Sequence, residues 1–260
     1  MLALKPAGTD KAQEVKIPIL MYHSLLKDKS RWNDYVISPD KFEQDLIYLR
    51  DNGYNTVFLS QVIDYVQNGT PLPENPIVLT FDDGYYNNYS YALDLLKKYN
   101  AKAVISPIVS ATQEFSDIID VSPYYGHCSW NELKEMLDSG HFEIQNHSFD
   151  LHSTTGRLGI SQKNGETTED YIAKVKPDIE KAQNYISKNL GVTPQCFTYP
   201  FGAYNTESEE MIKELGFVCS LSCTQKISTV KMYDNDSLFL LGRFLRDNKH
   251  SAEYLLTHNN

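Results

Sequence analysis

The stretch that leaves this chain least freedom is Pro76-Ile-Val-Leu-Thr-Phe-Asp-Asp-Gly84. Ile77, Val78, Leu79 and Phe81 make a short apolar run bounded by proline and glycine, the pattern of a buried strand. Asp82 and Asp83 then stand at its C-terminal tip, where parallel α/β proteins keep their chemistry. Two adjacent acids in different environments can divide the work, one on a metal ion and the other on a proton. Asp-Asp-Gly can equally be a plain turn whose carboxylates bond local amides. A second polar strand end shifts the balance. Ile144-Gln-Asn-His-Ser-Phe-Asp-Leu-His152 supplies His147 and His152. Two imidazoles and one carboxylate, with positions left for water, suit a catalytic zinc or a similar divalent ion.

The 260 residues, 41% hydrophobic and 22% charged, suffice for one globular domain with a full core. Met1 to Val15 is polar and lacks the apolar core of a signal peptide, so 1–15 reads as a leader or linker and 16–260 as the domain. No apolar stretch reaches bilayer-spanning length. The net charge of −10 and the lack of a basic run argue against nucleic-acid or anionic-membrane partners. None of Cys128, Cys196, Cys219 and Cys223 forms a C-x-x-C pair, which reads as buried thiols. Cys196 and Cys219 fall in predicted strands that could be neighbours, so a bridge between them is open.

Along the chain, Ile17–His23 reads as a first strand ending in His23. Ser38-Pro39 opens a helix that buries Phe42, Leu46 and Leu49 and stops at Gly53. A strand near Thr56–Leu59 and a Ser60-capped helix to Gly69 follow. After the Asp82-Asp83 strand come a helix over 89–98 stopped by Asn100 and a strand over 103–109. Residues 112–126 read as a polar loop of a length that is often functional. Ser129-Trp-Asn-Glu132 is a capping box opening a helix that ends at Gly140. A strand over 142–147, a loop to Thr167 and a long helix over 168–190, interrupted by Pro177, come next. The strand and turn over 195–202 lead to a second capping box, Thr206-Glu-Ser-Glu209, and to strands over 217–221 and 239–244. This alternation predicts one parallel α/β sheet or barrel of about seven strands, which in a barrel would gather the acids and histidines at one rim.

Three of these motifs, in this order, resemble those of the NodB-like polysaccharide deacetylases, or family-four carbohydrate esterases: Thr80-Phe-Asp-Asp-Gly84, His147-Ser-Phe-Asp-Leu-His152 and Tyr199-Pro-Phe-Gly202. The resemblance runs from about Ile17 to Phe244. It implies a deformed (β/α) barrel that removes acetyl groups from sugars, with Asp82 as general base and Asp83, His147 and His152 on one divalent ion, zinc first, cobalt or nickel otherwise. It also implies that the Tyr199-Pro200-Phe201 turn meets the substrate, Phe201 lending its backbone N–H to the oxyanion.

Two departures are informative. Many members space the two histidines by four residues, whereas here the gap is five, so an irregular turn must bring them together. The usual arginine two residues before the proline is replaced by Thr198, and Arg243 is the cation that could take its place. Both features, with Met21-Tyr-His23, are similar to the poly-N-acetylglucosamine deacetylases of bacterial biofilms. In that subgroup the motif order is permuted, which makes His23 rather than His258 the expected general acid. The resemblance implies an acetylated polysaccharide as substrate, a monomer, and a place outside the cell or on its surface. An O-deacetylase of acetylated xylan and a silent carbohydrate-binding module are the alternatives.

Overall fold

The computed structural model describes residues 13–118 and 121–258; residues 1–12 of the expected leader, and part of the expected 112–126 loop, lie outside the described residues. Seven short parallel strands build the frame: β1 (Ile19–Tyr22), β2 (Pro76–Asp83), β3 (Ala103–Pro107), β4 (Phe142–Ile144), β5 (Cys196–Thr198), β6 (Cys219–Leu221) and β7 (Phe244–Leu245). The ladder runs β7-β1-β2-β3-β4, and β5 pairs with β6. Single parallel bridges, Asn146 to Phe197 and Leu221 to Leu241, close the ring. At these seams Thr198 N–H donates to Asn146 O at 2.8 Å and Leu241 N–H to Ser220 O at 2.9 Å. The barrel is therefore closed but deformed, since two of its seams are bridges and not ladders.

Strand alternation sorts the apolar residues into two layers. Leu20, Leu79, Phe81 and Ile105 join Phe42, Leu46, Leu96 and Met136 of the surrounding helices. Ile19, Val78, Val104, Cys196 and Leu221, from neighbouring strands, meet one another instead, together with Leu59 and Val62. Cys196 and Cys219 are register partners, and both are buried free thiols.

Helices α1 (Pro39–Asp51), α2 (Leu59–Asn68), α3 (Leu93–Tyr99), α4 (Val109–Asp117), α5 (Trp130–Asp138), α6 (Thr168–Leu190), α7 (Thr206–Glu214) and α8 (Ala252–His258) surround the strands. Ser38 Oγ accepts from Lys41 N–H at 3.1 Å, and Asn100 takes the left-handed conformation that stops α3. A π-helical turn over Asn88–Ala92 precedes α3.

Several local expectations are corrected. Residues up to Asp117 of the expected 112–126 loop belong to α4, which buries only Val109 and Thr112, so its polar sequence hid its period. Ser60 does not cap α2: the Gln61 side chain accepts from Phe58 N–H at 3.2 Å and the Glu143 carboxylate from Ser60 N–H at 3.1 Å. The strand expected over 56–59 is only Asn55–Thr56, because Leu59 already opens α2. Asn205, not Thr206, caps α7. Pro177 does not divide α6, whose buried Tyr171, Val175, Ile179 and Ala182 hold the helix through it. Glu14–Ile17, which includes the end of the expected leader, pairs antiparallel with a strand over Ser228–Lys231 that the sequence reading missed.

Candidate active site

Alternation along β2 puts Asp82 on the face of Val78 and Thr80 and sends Asp83 the other way. Backbone conformation brings Asp83 back. Asp83 has φ 71°, and Ser148 and Phe201, at the two other strand ends of the site, have φ 69° and 58°. Each such residue costs of order 1–3 kcal/mol, and strain of this kind clusters at functional sites. Gly84 completes the bend with φ 76°; a Cβ there would lie 2.7 Å from Pro107 Cβ, so only glycine fits. His127 fixes the same corner, its Nδ1–H donating to Asp83 O at 3.0 Å while its ring stacks on Tyr85.

Asp83 Oδ1 lies 3.5 Å from His147 Nε2 and 3.3 Å from His152 Nε2. Ligands 2.0–2.1 Å from a tetrahedral ion stand roughly 3.3 Å apart, so the spacing fits one zinc-sized ion. His147 Nδ1–H donates to Thr198 O at 2.7 Å, which sets the tautomer and leaves Nε2 free to ligate. Asp83 Oδ1 is buried with no hydrogen-bond donor among the described residues, as an oxygen reserved for a cation would be. These three side chains could hold a metal ion.

The five-residue gap between the histidines is spanned by the expected irregular turn. Asp178 accepts from Phe149 N–H at 2.8 Å and from Asp150 N–H at 3.0 Å, and Asn146 Oδ1 accepts from Ser148 N–H at 2.8 Å.

Asp82 is held from across the barrel. Arg243, fully buried, donates from Nη1 and Nη2 to its two oxygens at 2.7 and 2.9 Å, and from Nε to Ser222 O at 3.0 Å. The cation missing at Thr198 is thus supplied by Arg243, and Thr198 pairs its hydroxyl with Ser106 at 2.8 Å instead. Burial pushes the Asp82 carboxyl up, but the guanidinium, His147 and His23 outweigh it and hold it below the ordinary range. Asp83 is also depressed, burial being outweighed by the nearby imidazoles of His147, His23 and His152.

His23, at the tip of β1, packs edge-on against Tyr35 with ring centroids 4.9 Å apart. Burial lowers its pKa, while the charges of Asp82 and Asp83 pull the other way. His23, Asp82, Asp83, His147, His152 and Phe201 line one cavity of about 480 Å³. The Phe201 ring lies 4.2 Å from that of His152, and its N–H has no acceptor among the described residues. Tyr199 and Pro200 are buried behind this turn and do not line the cavity. His258 is exposed on α8, stacked on Tyr254, and lies outside it.

The cavity also exposes residues the sequence reading missed: Tyr35, Tyr85, Cys223 and Gln225. Only Tyr85, next to the Asp-Asp-Gly motif, carried a signal. Its phenol pKa is raised by burial and by the Asp83 charge.

A family model described as polysaccharide deacetylase matches residues 69–220. The chain is 26% identical over 219 residues to a poly-beta-1,6-N-acetyl-D-glucosamine N-deacetylase of Escherichia coli K12, covering 76% of this chain and 32% of that protein. It therefore spans about a third of that relative's length. It is 27% identical over 203 residues to the enzyme of the same name from Staphylococcus aureus N315, covering 77% of this chain and 66% of that one. Among solved structures, a de-N-acetylase from Aggregatibacter actinomycetemcomitans superimposes with a TM-score of 0.76 at 25% identity, over 91% of this chain and 97% of that one. No helix among the described residues is long and apolar enough to cross a membrane. A family match over more than half of the sequence, on a barrel shared with a solved de-N-acetylase, makes this chain a member of the polysaccharide deacetylase family.

Proposed function

We propose that this chain hydrolyses N-acetyl groups on an N-acetylglucosamine-containing polysaccharide at the cell surface or outside the cell, releasing acetate. The observation that carries the reading is a single cavity shared by an arginine-clamped carboxylate, the half-buried His23 and a one-carboxylate, two-imidazole ligand set. Asp83, His147 and His152 hold the divalent ion, for which zinc suits the donor set best. When bound, the ion supplies positive charge against the acetyl oxygen and acidifies water at the site.

The chain's own groups do the rest. Asp82 accepts the proton of the attacking water, kept ionised and aimed by Arg243. The free N–H of Phe201 is a second donor for the oxygen on which charge develops, and Tyr199 and Pro200 set the turn that presents it. His23 protonates the departing amine, a step an amide requires more than an ester does. Burial lowers the His23 pKa and the charges of Asp82 and Asp83 offset only part of that, so the imidazolium this step consumes is a stronger acid than usual.

Acetate release from N-acetylglucosamine oligomers and from acetyl-xylan tests the reading. The amide substrate should be cleaved, and Asp82→Asn should keep fold and metal while losing about 10²–10⁴-fold in turnover. Release from the ester alone would make the chain an O-deacetylase, and near wild-type turnover in Asp82→Asn would assign the base elsewhere.

A further inference from the structure

A second hollow of about 670 Å³ opens beside the catalytic cavity, lined among others by Ser24, Arg31, Trp32, Asn33, Tyr85 and Tyr124. Tyr85 lines both, so the two share a wall, and Tyr35, from the same loop as Arg31 and Asn33, faces the catalytic side. The hollow has braced walls. Fully buried Asn87 donates to Ser24 Oγ at 2.8 Å and to Pro123 O at 2.9 Å and accepts from Leu25 N–H at 2.9 Å, tying both walls to one side chain. Trp32 Nε1–H donates to Leu26 O at 2.8 Å, and Asp28 accepts from Ser30 N–H at 3.0 Å, which fixes the turn carrying Arg31.

The lining chemistry suits a sugar ring. Tyr124 is half exposed and offers an apolar face, while Ser24 and Asn33 offer hydroxyl and amide groups. Its charge is unusual for this molecule. Arg31 sits 5.4 Å from the Tyr124 ring centroid; its charge also reaches Asp28 on the same turn, but no carboxylate is among the described lining residues, although the chain carries −10 overall. A sugar bearing an ammonium group would meet a like charge here, whereas an acetamido sugar would not.

We infer that this hollow binds the sugar next to the one being deacetylated, and that Arg31 favours a neighbour whose amine is still acetylated over a protonated glucosamine. The inference rests on the deacetylase reading for its substrate. Its consequence is that deacetylation slows beside an existing free amine, so products carry spaced rather than contiguous glucosamines.

Binding of two tetrasaccharides to the Asp82→Asn protein at pH 6 tests it, one fully N-acetylated and one with a single glucosamine beside an acetylated sugar. The acetylated oligomer should bind several-fold more tightly, with the difference shrinking at high salt. Arg31→Glu should erase or reverse the ranking. With Asp82 restored, Tyr124→Ala should lower kcat/KM several-fold on the tetrasaccharide while leaving 4-nitrophenyl acetate hydrolysis unchanged. An unchanged ranking in Arg31→Glu, an equal loss on both substrates in Tyr124→Ala, or no oligosaccharide binding would overturn the inference. The predicted binding ranking without acetate release by the wild-type protein would instead sink the deacetylase reading and leave the subsite standing.

Discussion

Arg243 and Asp82 lie 161 positions apart and meet in the barrel interior, where each is the other's charge partner. Breaking such a buried pair from one side leaves a desolvated charge and costs about 3–5 kcal/mol. Arg243→Met should therefore destabilise by about that much, and burial should push the abandoned Asp82 carboxyl up, so it would be lost to the proposed role of base. Adding Asp82→Asn should recover part of the lost stability, as denaturant unfolding of the two single variants and the double variant would read; strictly additive losses would show that the pair is not coupled. The acid is tested the same way. His23→Ala should slow acetate release from N-acetyl substrates by about 10²-fold or more, and His258→Ala should leave it unchanged. The reverse ranking would refute the permuted-motif assignment. The sequence displays Asp82, Asp83 and His23 at the ends of apolar runs, and His147 and His152 in a second strand end that turns from apolar to polar. It offers Arg243 as the cation for Asp82 only through the family resemblance, since no local pattern records a contact closed by barrel topology.

Between His152 and α6, a loop without regular structure is knitted by one carboxylate. Glu166 accepts from Arg157 Nη2 at 2.6 Å, from Lys163 N–H at 3.1 Å and from Lys174 Nζ at 3.1 Å. The loop then packs on the Phe201 turn: Ile160 joins the cluster of Tyr171 and Tyr199, and a Cβ on Gly159 would lie 2.6 Å from Pro200 O. Glu166→Gln should speed amide hydrogen exchange over 153–166 and lower activity several-fold with little change in global unfolding. Because the Glu166 pKa is held down to about 2 from an ordinary 4.5, its contribution is full above pH 4.5 and lost as pH falls through about 2. Exchange in this loop that is the same in wild type and Glu166→Gln at pH 6 would refute the role. Elements such as α1, α5 and α6 are legible because caps and buried stripes coincide. Helix α4 is not, because only two of its residues face the core.

For the molecule as a whole, the strand count and the common rim follow from alternation of strands and helices, whereas the two single-bridge seams depend on side chains far apart in sequence. The central claim is that the rim works only as a metal-loaded hydrolase. Proton linkage gives it a signature. The His147 pKa is raised, burial being outweighed by the nearby Asp83 and Asp82 carboxylates and the bond to Thr198 O, so a metal ion must displace a proton that persists above the usual imidazole range. Zinc affinity of the apoprotein should therefore fall as pH is lowered through that pKa, with proton release on binding detectable by titration calorimetry in buffers of different ionisation enthalpy. His147→Ala should lose stoichiometric zinc. The most direct measurement is acetate release from an N-acetylglucosamine oligomer by the wild-type protein before chelation, after exhaustive chelation, and after zinc is returned. The account predicts release, loss and recovery in step with bound zinc; release that persists in chelated, metal-free protein would contradict it.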